Sequence, residues 1–411
     1  MKQRQFATAS SGRLVFLCLL LGYVVVSMSK ATFSSAMVFI VNEGTLTKLE
    51  TGNITSVFYV SYALLQVVGG LAVDRYRPER FMAVGLLGAG LCNLVVYFTQ
   101  NYAVLLVTWI LNGALQFGIW PAVFKICSTM LLPAQRETSL AIAGCCLPLG
   151  TLGASLLAAL VSDWRDTFLV AALLLIASAL VFSVGFASCR RDVMEVEVSA
   201  AAPRSREGKT VGVRTWLLSS GLILVLVIAF VRSALESGFR SLTPTMINES
   251  YAGVSPSLAT VLNLIVLAAS AGGTFLSHVL HARLFRNEGA AFLALFLTAL
   301  PLVAVPLFVG RVSYWAIVLS LAGSVLLCSA ASFFTTLVAM RFNRLGKGGA
   351  VAGIMNALAA LGISFSNTVF TATVEATGWR GAAVFWVVLV ALLVLAAAAF
   401  LPLWRRFKRG E

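Results

Sequence analysis

Apolar runs of about 20 residues, each long enough to cross a bilayer as a helix, recur along the chain from Leu14 to Trp404. Nothing else in the sequence restricts the fold so strongly. In lipid every crossing segment must satisfy its own backbone hydrogen bonds, which makes the helix the spanning unit for runs of this length. Charge clusters and turn residues divide the chain into twelve spans: 14–41, 53–73, 81–99, 102–131, 138–161, 166–187, 215–246, 257–280, 290–309, 313–339, 349–375 and 380–404. Polar residues are too few to coat a water-facing globule. The chain is 59% hydrophobic and 11% charged, and an average soluble protein carries about 25% charged residues. The expected class is an all-α membrane protein with twelve transmembrane helices in two six-helix bundles.

The start of the chain places Lys2, Arg4 and Arg13 ahead of an apolar segment that runs to Val41 without a small-residue cleavage site. It reads as a retained first span rather than a secretory signal. One long polar stretch carries Arg190, Arg191, Glu195, Glu197, Pro203, Arg204, Arg206, Glu207 and Lys209. It separates six spans from six, giving an N-terminal bundle over 1–187, a cytoplasmic linker over 188–214 and a C-terminal bundle over 215–411.

A net charge of +14 is also the electrostatic footprint of nucleic-acid binding, so the placement of the charges decides. With the N-terminus inside, four of the 30 Lys and Arg fall outside (Lys48, Arg165, Arg311, Arg380) and four within spans (Lys30, Lys125, Arg232, Arg240). The other 22 lie in the termini and cytoplasmic segments. That is the positive-inside bias of a membrane protein with both termini cytoplasmic. Nucleic acid is excluded as a partner. The seven cysteines have no Cys-x-x-Cys spacing and sit mostly inside apolar runs, where they serve as small apolar filler.

The two halves echo each other. Asp163-Trp164-Arg165-Asp166 opens the sixth span, and Gly378-Trp379-Arg380-Gly381 opens the twelfth. Gly144, Gly150 and Gly153 in span five correspond to Gly349, Gly353 and Gly362 in span eleven. Six-plus-six repeats are the build of a rocking two-bundle transporter, with the substrate expected between the halves.

Charges deep in a span cost at least a few kcal/mol and face a cavity or a partner. Lys30 lies 16 residues into span one, and Tyr23 shares its helix face. It reads either as a structural ion-pair member or as a substrate or coupling residue. Glu236 is the one acid in the middle of any span, flanked by Arg232 and Arg240 at i−4 and i+4, a spacing that brings all three together. The trio is either a self-neutralising cluster or a site in which Glu236, with Arg232, handles an ammonium group or a coupling proton. Tyr59, Tyr62 and Gln66 form one stripe in span two; Asn112, Gln116 and Trp120 form another in span four. Asn356 shares a face with Asn367 in span eleven. Lys125 lies near a span end, where it can snorkel to the headgroups.

Gly70-Leu71-Ala72-Val73-Asp74-Arg75, followed by Pro78 and Arg80, resembles the loop between helices two and three of the major facilitator superfamily, with Arg77 near the place of the usual glycine. Gly22-Tyr23, Lys30, Phe33 and Ala36-Met37 resemble the organophosphate:phosphate antiporters of that superfamily. So do Gly118-Ile119-Trp120-Pro121, Gly238 and Pro244-Thr245. The resemblance implies the major facilitator fold, with Asp74 and Arg75 as a gating latch at the cytoplasmic mouth. It aligns Lys30 with a phosphate-binding arginine, Glu236 with a second arginine, Gln66 with a lysine and Leu147 with a histidine. Lysine lacks the bidentate fork that suits phosphate, and an acid repels a dianion. These replacements point to a zwitterion or monocarboxylate ahead of a phosphate ester.

No nucleotide-binding loop, nucleophile triad or metal-ligand cluster is present in the sequence, so the chain is expected not to be an enzyme and to need no cofactor. The expected function is secondary active transport of a small polar organic solute, an organic anion or zwitterion, phosphorylated and carboxylated metabolites included, by alternating access. Substrate contacts are assigned to Tyr23, Lys30, Tyr59, Tyr62, Gln66, Gln116, Glu236 and Asn356, and coupling to Glu236 and Arg232. Alternatives are an amino-acid or drug/H+ transporter and, in another class, a solute sensor. The expected partners are the solute, a co-transported proton or exchanged anion, and the lipid bilayer, for a monomer in the inner membrane.

Overall fold

The computed structural model describes residues 2–197, 221–285, 287–342 and 348–409. Its helices run in chain order as α1 (Ala9–Glu43), α2 (Lys48–Arg75), α3 (Pro78–Phe98), α4 (Tyr102–Met130), α5 (Pro133–Leu160) and α6 (Trp164–Ser188). They continue as α7 (Leu222–Ser250), α8 (Pro256–Arg283), α9 (Glu288–Ala304), α10 (Tyr314–Arg341), α11 (348–377) and α12 (379–409). Ten stretches among the described residues are long and apolar enough to cross a membrane. The last of them, Gly353–Phe407, holds both α11 and α12, and α2, at 28 residues, completes the twelve.

The helix ends follow from local chemistry. Thr8, Asn101, Asp163, Ser255 and Asn287 each accept a hydrogen bond from a first-turn amide, as short polar side chains do at N-caps. The Thr8 cap is why α1 begins ahead of its apolar run. Pro78, Pro133 and Pro256 stand in first turns, where the missing N–H has no intrahelical partner to lose. Gly378, at φ 72°, takes the left-handed backbone that separates α11 from α12.

Two features depart from the sequence reading. First, α4 is interrupted: helix gives way to turn at Gln116–Gly118, and Pro121 withholds the amide that would bond the Phe117 carbonyl. The stripe of Asn112, Gln116 and Trp120 therefore does not run straight through. Second, the stretch expected as a linker begins with ordered structure. Arg190–Asp192 forms a 3-10 turn, and Val193–Glu197 (β2) pairs antiparallel with Lys2–Phe6 (β1). Phe6, 1% exposed, packs edge-on to Phe186, and Arg4 pairs with Glu79 at 3.0 Å. Residues 198–214 of that stretch lie outside the described residues.

The chain forms two compact units, one of Met1–Leu46 with Val57–Pro203, the other of Thr47–Ser56 with Arg204–Glu411. In the first, α1 lies against α5 and α6, and α3 against α6. Val15, Leu19, Met82, Leu86, Val123 and Phe182 belong to its core. Gly150 sets the approach of α5 to α1, since a Cβ there would stand 2.5 Å from the Met28 amide nitrogen. In the second, α7 lies against α11, α8 against α10 and α9 against α12. Gly362 plays the matching part, its added Cβ falling 2.3 Å from the Phe230 carbonyl oxygen. The glycine echo is thus a packing echo at Gly150 and Gly362, whereas Gly144 and Gly353 meet nothing within 4 Å. The opening turns of α2 pack within the second unit: Lys48 pairs with Glu249 at 3.1 Å, and Asn53 accepts from Thr368 at 3.0 Å.

Candidate functional site

In the first unit the polar residues of α1 and α2 gather around Lys30. Its ammonium lies 4.5 Å from the centroid of the Tyr62 ring, and the residue is 7% exposed. Tyr62 stacks on Phe58, and its hydroxyl accepts from Gln66 Nε2 at 3.2 Å. Tyr59 sits edge-on to Phe58. About two turns earlier on α1, Tyr23 stacks on Trp120 with centroids 5.5 Å apart. Among the described residues no carboxylate pairs with Lys30. An aromatic face stabilises a buried ammonium without neutralising it.

In the second unit Glu236 is the hub. Arg232 donates to Oε2, Arg240 stands 3.7 Å from Oε1, and Ser270 of α8 and Ser329 of α10 donate to Oε1 at 3.0 and 2.8 Å. The two serines are themselves 3.0 Å apart. Arg232 also donates to the Cys328 carbonyl at 3.3 Å, while its buried Nε has no acceptor. Both carboxylate oxygens are engaged. An ammonium-binding role for Glu236 would require those contacts to be given up, so the arrangement favours a self-contained cluster. Its formal balance is two cations to one anion, leaving a surplus positive charge on α7.

The helical spacing foretold that Arg232, Glu236 and Arg240 would meet. It did not reveal Ser270 and Ser329, which come from other helices and carry no positional signal beyond being hydroxyls inside apolar runs. Of the remaining expected residues, Gln116 is fully buried and donates to Asn112 Oδ1 at 2.7 Å. In this conformation its side chain is enclosed within the first unit. Asn356 is exposed while Asn367, inside the π turn Ser366–Phe370, is buried. Lys125 donates to the Val73 carbonyl near the end of α2, a helix-terminal contact. The backbone of Asp74 and Arg75 forms the last turn of α2; their side chains lie outside the described residues.

Residues 19–367 match the Major Facilitator Superfamily. The membrane sensor protein UhpC of Escherichia coli (strain K12) is 29% identical over 104 residues, 25% of this chain and 24% of that protein. A probable hexose phosphate transport protein of Chlamydia pneumoniae is 26% identical over 170 residues, 41% of this chain and 37% of that protein. The matched stretches thus span about a quarter to under two fifths of these relatives' own length. A bacterial homologue of the human lysosomal transporter Spinster, in an inward-facing and unoccupied conformation, has the same fold, with a TM-score of 0.77 over 98% of both chains at 15% identity. A match across most of the chain, on a fold of twelve helices, places this multi-pass membrane protein in the Major Facilitator Superfamily, with relatives among its organophosphate:phosphate antiporter-like members.

Proposed function

We propose that the chain is a secondary transporter for a small organic anion, with phosphorylated metabolites as the substrate class. It works by alternating access, in an inner membrane with both termini cytoplasmic. One observation carries the reading: the charges inside the spans leave positive charge uncompensated in each unit. Lys30 has no paired acid among the described residues, and Arg232 and Arg240 share the single carboxylate of Glu236. The zwitterion reading needed Glu236 as a free ammonium partner, and its oxygens are occupied. The similarity to a hexose phosphate transport protein supports the same class. Lys30 and Tyr62 of the first unit are the side chains assigned to the anionic group. A proton or an exchanged anion is the coupled partner.

A thermal-shift panel of hexose phosphates, dicarboxylates and amino acids tests the substrate class, since a ligand of the native state raises apparent stability. The expected result is stabilisation by the phosphorylated members. Stabilisation by zwitterionic amino acids alone would restore the earlier reading.

A solute sensor is the second reading, favoured by the similarity to membrane sensor protein UhpC. Binding of a phosphorylated solute without flux through proteoliposomes supports the sensor; flux supports the transporter.

A further inference from the structure

The interruption of α4 opens a groove on the first unit between α3 and α4, with a volume of about 500 Å3. Val84 and Leu91 of α3 and Leu111, Leu115 and Phe117 of α4 line it. The turn at Gln116–Gly118 places the Phe117 ring across from α3, and Gly88 leaves room beside Leu115. Val84 is 59% and Leu111 53% exposed, so the groove opens on the outside of the unit. Its size lies within the ~300–1,000 Å3 range of ligand clefts.

The groove is polar at one end alone. Tyr76, just ahead of α3, and Arg80, in its first turn, close it there, and Arg77 is exposed beside them. No lining residue is acidic. Glu79, next to Arg80 in the chain, is paired with Arg4 at 3.0 Å, and among the described residues Arg80 has no ion-pair partner. From Arg80 to Cys92, at the far end of the lining, is twelve residues of helix, ~18 Å at ~1.5 Å per residue. The hydrocarbon core is ~30 Å thick, so the groove runs from headgroup level to about mid-bilayer.

We propose that this groove is a binding site for an anionic phospholipid, one acyl chain lying along α3 and α4 and the headgroup phosphate on Arg80. The depth of the groove matches one leaflet, its walls match hydrocarbon, and its uncompensated cation matches a phosphate. Basic positions at helix ends recognise anionic headgroups in this way.

The test uses the full chain purified in detergent, with dioleoyl phosphatidylglycerol and dioleoyl phosphatidylcholine as probes and native mass spectrometry and the thermal midpoint as readouts. One arginine at headgroup level is worth about a fivefold preference, so the wild type should retain phosphatidylglycerol over phosphatidylcholine by that factor and be stabilised by it. Arg80→Gln should bind both lipids equally, and Leu111→Trp, which fills the groove, should retain neither. Equal retention of the two lipids by the wild type would overturn the proposal without any variant. So would a preference that survives in Arg80→Gln, lipid binding unchanged in a folded Leu111→Trp, or a second copy of the chain found bound in place of lipid.

Discussion

The Lys30 ammonium lies over the Tyr62 ring, 4.5 Å from its centroid, in a setting where an acid would be the ordinary partner for a buried cation. The ring stabilises the charge without neutralising it. Tyr62→Phe keeps the ring and loses the hydroxyl that Gln66 bonds, whereas Tyr62→Ala removes the ring. A cation–π contact contributes ~0.5–2 kcal/mol. Titration calorimetry with the solute identified by thermal shift should therefore find Tyr62→Ala weakened well beyond Tyr62→Phe. Equal weakening would mean that the hydroxyl, not the ring face, carries the contact.

The Glu236 cluster should behave as one unit. Removing a single member of a buried ion pair costs ~3–5 kcal/mol, because it strands the other charge. Glu236→Gln should lower the thermal midpoint sharply, and adding Arg232→Met should recover part of the loss. Additive losses in that double-mutant cycle would show that the two side chains do not interact as described.

Two glycines should prove intolerant and two tolerant. Gly150→Ala and Gly362→Ala each place a Cβ under 3 Å from the backbone of the facing helix, and overpacking of this kind costs ~1–3 kcal/mol. Gly144→Ala and Gly353→Ala meet nothing within 4 Å and should leave the midpoint unchanged or raised. Thermal midpoints of the four variants check the ordering.

How far the sequence reached can be judged on these same residues. Hydropathy placed the spans because their side chains are apolar whether they face lipid or the protein interior, and the i, i+4 rule brought Arg232, Glu236 and Arg240 together. The glycine echo pointed to α5 and α11 but could not separate Gly150 from Gly144, since close approach depends on a helix remote in sequence. Ser270 and Ser329 stayed hidden for the same reason. So did the pairing of Lys2–Phe6 with Val193–Glu197. The short alternating pattern Val193-Met194-Glu195-Val196-Glu197 was its one local sign, submerged in a polar stretch. Gln116 kept the i, i+4 relation to Asn112 that the spacing gave it; its burial depends on neighbouring helices that spacing does not report.

Two tryptophan–glutamate hydrogen bonds offer an internal control. Trp404 Nε1 donates to Glu288 at 2.8 Å where the acid is 1% exposed, and Trp379 Nε1 donates to Glu249 at 2.9 Å in an exposed setting. Leaving a buried group short of a partner costs ~1–3 kcal/mol. Trp404→Phe should therefore destabilise clearly, and Trp379→Phe little, in the same thermal assay. The reverse order would contradict the burial described for Glu288.

Buried positive charge at Lys30, without a paired acid among the described residues, suits an organic anion as the carried solute. Uptake of labelled hexose phosphate into proteoliposomes loaded with inorganic phosphate, for the wild type and for Lys30→Gln, tests it most directly. The account predicts uptake by the wild type that is lost in the folded variant. Undiminished uptake by Lys30→Gln would contradict it, as would a wild type that moves amino acids and no phosphorylated solute.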